Sequence, residues 1–187
     1  GAVRGSGYDV YRDGVVDYAP RNEALAAAAS ELVRRGRRVL VLTKEVEHAA
    51  RLSSMIEGSV AVDGRDNERV DRMLNALADG MVKAVVGTSV IGEGRDVPAA
   101  DALVYASGGR SKVRVVQDYF RARTASEGKT SAIVVDAADT QHEILLEHAA
   151  ARLVHYRGED SFDASVIEPH SFGQWLDDNR TSDKHSA

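Results

Sequence analysis

The residues with most chemistry to offer lie in one short basic stretch. Between Arg110 and Lys129 stand six basic residues, Arg110, Lys112, Arg114, Arg121, Arg123 and Lys129, opposed by Asp118 and Glu127. The whole chain carries 24 Lys and Arg against 29 Asp and Glu, a net charge of −5. A confined basic belt on an acidic chain points to a local anion site rather than to a surface that coats polyanions. The stretch ends in Gly128-Lys129-Thr130, the tail of a phosphate-binding P-loop. A P-loop needs an upstream glycine at the GxxxxGK spacing, so that consecutive N–H groups wrap the phosphates, and a helix opening downstream. Arg123 holds the upstream position, and Ala132-Ile133-Val134-Val135 downstream is a β-branched run that reads as a strand. The tripeptide is therefore a basic turn entering a strand.

A second glycine cluster, Gly92-Glu93-Gly94, invites a dinucleotide reading, but Val97 stands where GxGxxG requires its third glycine and Pro98 follows. Cysteine is absent, so no disulfide or thiolate metal site can form, which suits a reducing cytosol. His142, His148 and His155 fall on one helical pattern without the i, i+4 spacing of a ligand pair, and no metal site is expected. Glu143/Glu147 and Asp177/Asp178 read as solvated faces.

The elements that position these residues follow from hydrophobic period. At 43% hydrophobic and 28% charged, the 187 residues suit one soluble domain with an appended tail. Helices are predicted over Asn22–Arg35 (closed by Gly36), Val46–Glu57, Asn67–Ala78, Ser111–Arg123 and Gln141–Tyr156. Strands are predicted at Val39–Thr43, Val60–Val62, Val82–Thr88, Ala102–Ala106 and Ala132–Val135, nearly continuous in apolar residues as buried parallel strands are. Tyr8–Val16 is read as an edge hairpin, and Trp175 and Leu176 as part of a short docking helix. Alternating strands and helices mean a parallel sheet wrapped by helices. No apolar run approaches the roughly 18 residues of a membrane span, and the start Gly1-Ala2-Val3, without an initiator Met, reads as a cloning remnant or a cut from a longer chain.

Ligands of such a sheet sit at the carboxyl ends of its strands. Three segments there stand out: Thr43-Lys44-Glu45 after the first strand, Thr88 to Pro98 after the third, and Ser107 to Arg123 after the fourth. Together they resemble the second RecA-like domain of a superfamily 2 nucleic-acid helicase or translocase, over about Val15 to Asp139. RRVLVLTKEVEHAARL is similar to that family's motif IV region, AVVGTSVIGEGRDVPAADALVYA to motif V, and VVQDYFRARTASEGKTSAIVVD to motif VI and its following strand.

The resemblance implies a RecA-like three-layer α/β sandwich with a mostly parallel sheet and no P-loop of its own. It implies an ATPase cleft shared with a first RecA-like domain that supplies the P-loop and most Mg2+ ligands. ATP and Mg2+ are the implied cofactors. Nucleic acid, DNA favoured over RNA, is the implied partner. Arg121 and Arg123 take the catalytic arginine role, Gly94, Asp96 and Gln117 the ATP and interdomain contacts, and Thr43, Lys44, Asp63, Gly64 and Thr88 the strand contacts. The implied division is 1–14 linker or remnant, 15–157 motor domain and 158–187 acidic extension. The implied location is the cytoplasm, or the host-cell cytoplasm for a viral protein, and this segment alone is expected to be inactive. One departure stands out. The family's motif VI reads Gln-x-x-Gly-Arg-x-x-Arg, whereas here Gln117 and Arg121 keep their places but Phe120 replaces the glycine and Thr124 the last arginine. Those two exchanges keep open a second reading, a catalytically degenerate module that binds nucleic acid or regulates a partner.

Overall fold

The computed structural model describes residues 7–88, 100–109, 116, 132–159 and 163–179. Its centre is five parallel strands in the order β2-β3-β1-β4-β5: β1 Val39–Thr43, β2 Ser59–Val62, β3 Ala84–Thr88, β4 Ala102–Tyr105 and β5 Ile133–Asp136. Every residue of β1, β3 and β4 is buried, as expected of strands covered on both faces.

Strand alternation sorts the core into two halves. Val39, Val41, Val86 and Val104 share one cluster with Leu25, Ala29 and Leu32 of helix α2 (Ala19–Arg34) and Ala49 and Leu52 of α3 (Val46–Met55). Leu40, Leu42, Val85, Leu103 and Tyr105 share the other with Val70 and Leu77 of α4 (Asn67–Ala78) and Tyr156 of α5 (Glu143–Arg157). This is the helix-covered parallel sheet that the apolar runs predicted.

Element ends differ from the sequence reading for identifiable reasons. Helix α2 starts at Ala19 because Pro20 suits a first turn, where no N–H is needed. It ends at the glycine foreseen: Gly36 has φ +78, with Gly36 N–H on Val33 O and Arg37 N–H on Leu32 O. The same closure at Gly80 takes Met81 N–H and Val82 N–H to Ala76 O, so β3 begins at Ala84 rather than Val82.

The edge hairpin expected at Tyr8–Val16 is replaced by a short helix α1 (Gly7–Tyr11) running into a π-helical turn (Arg12–Val16). The buried positions are Val10, Tyr11, Gly14, Val15 and Val16, and the pairs 10/14 and 11/15 follow the helical i, i+4 step rather than the alternation of a strand. This segment packs with Leu145 of α5. The docking helix expected around Trp175 and Leu176 is α6 (Phe172–Asp178). Phe172 and Leu176 enter the α2 side of the core, and Arg35 of that side binds Asp177 (2.6 Å) and Gly173 O (2.9 Å). The helix predicted at Ser111–Arg123 lies outside the described residues except for Val116, which is fully buried in the cluster of Tyr105 and Tyr156. Among the described residues no helix is long and apolar enough to cross a membrane.

Candidate functional site

The carboxyl edge of the sheet brings together the ends of strands far apart in sequence. Thr43 of β1 is in register with Thr88 of β3, and Val62 of β2 lies beside Gly87. On the other side Tyr105 of β4 pairs with Leu42 and with Asp136 of β5. Of the candidate residues, Thr43, Lys44, Asp63, Gly64 and Thr88 are therefore at one edge. Gly94, Asp96, Gln117, Arg121 and Arg123 lie outside the described residues.

Thr43 does not present its hydroxyl outward. The side chain is 0% exposed, and Oγ1 lies 2.9 Å from Glu45 O and 3.3 Å from Gly87 O, so the hydroxyl ties the loop to the neighbouring strand. What this corner offers an incoming phosphate is backbone and Lys44. The Lys44 ammonium sits 4.5 Å from the centroid of the Tyr11 ring, a cation–π contact that holds it. Tyr11 is fixed in turn by its hydroxyl, which donates to Ser107 O at 3.0 Å. Burial pushes that phenol well above its usual range, with Glu45 adding to the shift and Arg21 opposing it.

Two other cations near β1 are already neutralised. Arg12 binds Asp17 (2.9 Å), Glu45 (3.3 Å) and Glu47 (2.9 Å), and Arg51 binds Asp17 (2.8 Å). At the end of β2, Asp63 takes the Arg65 guanidinium at 2.6 Å and the Arg65 N–H at 3.0 Å. Those bonds hold the Asp63 carboxyl down at about 2. Gly64 is buried in the turn between them, and Asp66 caps α4 by accepting from Arg69 N–H.

Sequence reasoning missed a buried ionic network beneath this edge. Arg21 of α2, only 5% exposed, binds Asp139 at 2.6 Å and donates to Ala106 O at 3.0 Å. Arg152 of α5, 1% exposed, binds Asp136 (2.7 Å) and Asp139 (3.4 Å) and donates to Ala137 O (3.0 Å) and to Gly109 O. Tyr156 Oη donates to Asp136 at 3.0 Å. A signal did exist: Arg152 falls on the same helical stripe as Leu145, Ala149 and Tyr156, the buried face of α5. A cation on a buried face needs partners, and they sit at the last residue of β5, Asp136, and just past it, Asp139.

A second missed group is His48, 0% exposed, whose Nε2 lies 2.8 Å from Asn22 Oδ1. Asn22 Nδ2 donates to Val16 O at 2.9 Å, and with the amide so oriented Oδ1 faces His48, which therefore donates from Nε2. Its Nδ1 is buried without a hydrogen-bond partner among the described residues. Burial, with Arg21 and Arg51 nearby, pushes the His48 imidazole down to about 3, so it is neutral at ordinary pH. Among the described residues no group of three or more His, Asp or Glu side chains could hold a metal ion.

Comparison with known proteins agrees with this architecture. Residues 22–126 match the family described as the helicase conserved C-terminal domain. The chain is similar in structure to T4 UvsW, at 21% identity and TM-score 0.70 over 89% of this chain and 38% of that one. It is similar to a Dbp5 variant of S. cerevisiae bound to RNA and ADP BeF3, at 15% identity and TM-score 0.60, covering 83% of this chain and 41% of the other. The Hef helicase domain of Pyrococcus furiosus matches at 24% identity and TM-score 0.50, over 66% of this chain and 27% of that one. At these identities the likeness carries the fold, a RecA-like α/β sandwich, and the chain spans 38% of the UvsW chain and 41% of the Dbp5 chain. No curated protein sequence matches it significantly.

Proposed function

The chain belongs to the helicase conserved C-terminal domain family, and we propose that it is the second motor domain of an ATP-dependent nucleic-acid helicase or translocase. The observation that carries this reading is the register of Thr43 with Thr88 at the carboxyl edge. The chain that leaves Thr88 holds Gly94 and Asp96, and the chain that leaves β4 holds Gln117, Arg121 and Arg123. Both segments start from the same edge of the sheet, as a cleft built against a first RecA-like domain requires.

In this reading ATP binds between the two domains; water attacks the γ-phosphorus as the bond to the β,γ-bridging oxygen breaks, ADP leaves, and the water's proton passes to the released phosphate or to solvent. Charge builds on the transferring phosphoryl oxygens, and fixed guanidinium groups aimed at that charge lower the barrier. Arg121 fills this role, with Arg123 as the second arginine in place of the residue missing at Thr124. Gly94, Asp96 and Gln117 face the nucleotide and the opposing domain. Mg2+ accompanies ATP and is ligated mainly by the first domain. The nucleic-acid strand crosses the other side of the edge, held by its phosphates through the backbone at Thr43, Asp63-Gly64 and Thr88 and by Lys44, contacts that position without reading sequence. The motor domain takes in 15–157, preceded by the linker 1–14 and followed by the acidic extension 158–187, with α1 and α6 packed against it.

The test is steady-state ATP hydrolysis by the full-length protein, titrated separately with single-stranded DNA and RNA, DNA being the first track tried. Arg121→Ala should lower turnover about a thousandfold or more while shifting the KM for ATP little, because a finger acts on charge that develops in the transition state. Unchanged turnover would sink the motor reading. It would leave the second one, a degenerate module that grips nucleic acid or a partner without chemistry, which Phe120 and Thr124 favour.

A further inference from the structure

Arg152 spends its guanidinium on backbone as much as on charge. It donates to Gly109 O, four residues beyond the end of β4, and to Ala137 O, the first residue after β5. Its remaining bonds go to Asp136 at 2.7 and 3.1 Å and to Asp139 at 3.4 Å. Arg21 repeats the pattern from the opposite layer, with Ala106 O on β4's exit and Asp139 beyond β5. The two arginines therefore lock the exits of β4 and β5 to each other through one shared carboxylate, Asp139. One helical turn along α5, Tyr156 belongs to the cluster that buries Val116, the residue directly before Gln117. Gly109 itself has φ +76 and Gly108 φ +63, so this exit bends through two left-handed residues, and Ser107 Oγ adds a bond to Leu42 O at 3.2 Å.

We propose that Arg152, seconded by Arg21, is a positioning residue for the arginines of the basic stretch: it sets the point and direction at which the chain carrying Gln117, Arg121 and Arg123 leaves the sheet. This rests on the motor reading above. Stability alone does not account for the network. Replacing a buried ion pair by neutral or apolar groups of similar volume is often without cost to the fold, whereas removing one partner strands a buried charge. Geometry does account for it, since a reacting group displaced by 1 Å can cost about a hundredfold in rate. Arginine is the side chain whose planar fork can serve a carboxylate and two carbonyls at once.

The experiment uses the full-length protein with three variants. Arg152→Met/Asp136→Asn removes both charges together, leaves Asp139 paired with Arg21, and avoids a stranded ion. Arg152→Lys keeps the charge and loses the fork. Arg121→Ala is the control for the motor reading. Thermal midpoint, ATP KM and kcat with saturating nucleic acid are measured for each. The double variant is expected to melt near the parent, to keep the KM within about twofold, and to lose kcat by about tenfold or more, with Arg152→Lys between the two. A folded double variant with parental kcat overturns the proposal. So does a loss of kcat that only tracks the fraction unfolded at the assay temperature. If Arg121→Ala itself leaves kcat unchanged, the motor reading has failed. In that case a positioning role for Arg152 is overturned with it, by a different measurement.

Discussion

Buried and neutral, His48 makes the stability of this domain depend on pH over a defined window. Its folded value is about 3 against an ordinary 6.5, because burial and the nearby Arg21 and Arg51 disfavour the imidazolium. As the pH falls below 6.5, the unfolded chain takes up the proton first, and stability falls with it until the folded site also protonates near 3. The contribution is fully present above 6.5 and lost on acidification, the sign expected when the folded value lies below the unfolded one. Between about pH 7 and about pH 4.5 the linkage amounts to roughly 2.5 kcal/mol, a large share of a typical folding free energy. Carboxylates held down by arginines, such as Glu31, titrate below this window and add their own loss at lower pH. The comparison is therefore with His48→Gln, whose amide can still donate to Asn22 Oδ1 but does not titrate. Urea unfolding followed by circular dichroism at the two pH values isolates the histidine. The parent should lose about 2.5 kcal/mol more than the variant over that span. Equal losses would refute the assignment of a buried neutral imidazole at this position.

Other outcomes follow from the same edge of the sheet. Gly108→Ala should destabilise the chain by about 1–3 kcal/mol in the same assay, because Gly108 has φ +63 and an added Cβ would approach Val15 Cγ2 to 3.2 Å. Arg123→Ala in the full-length protein separates two readings of the stretch from Gln117 to Thr124. If Arg123 serves the phosphoryl group, turnover falls by a factor like that for Arg121→Ala and the double variant is little worse; if it is an exposed charge, turnover barely changes, and Thr124→Arg then raises it. Lys44→Met should weaken binding to single-stranded nucleic acid without changing sequence preference and should reduce the salt slope by about one phosphate contact. A salt slope identical to the parent's would remove Lys44 from the strand contacts.

What the sequence determined by itself, from β1 onward and among the described residues, was the alternation of strands and helices. Continuous apolar runs such as Val39–Thr43 and Ala84–Thr88 can be satisfied only by burial on both faces, and the helical stripes between them supply the cover. Gly36 marked a helix end because the left-handed residue that closes a helix strongly favours glycine. That Thr43, Lys44, Asp63, Gly64 and Thr88 lie at one edge was legible too, because each follows or ends a strand and a parallel sheet delivers all its carboxyl ends to one side; their role as strand contacts comes from the resemblance alone. The Tyr8–Val16 segment was misread because three valines and two tyrosines suggest β-propensity, whereas the packing of Val10, Tyr11, Gly14 and Val15 against Leu145 selected a helical period. Only the tertiary structure decided that Lys44 rests on Tyr11, that Thr43 turns its hydroxyl inward, and that Arg21, Asp136, Asp139 and Arg152 meet. Arg21 and Asp139 are separated by 118 positions, and a lone charge in a sequence looks the same whether water or a buried carboxylate awaits it. Local period encodes which face of an element is buried, but the partner of a buried charge is set by strand order, and strand order is a property of the folded sheet.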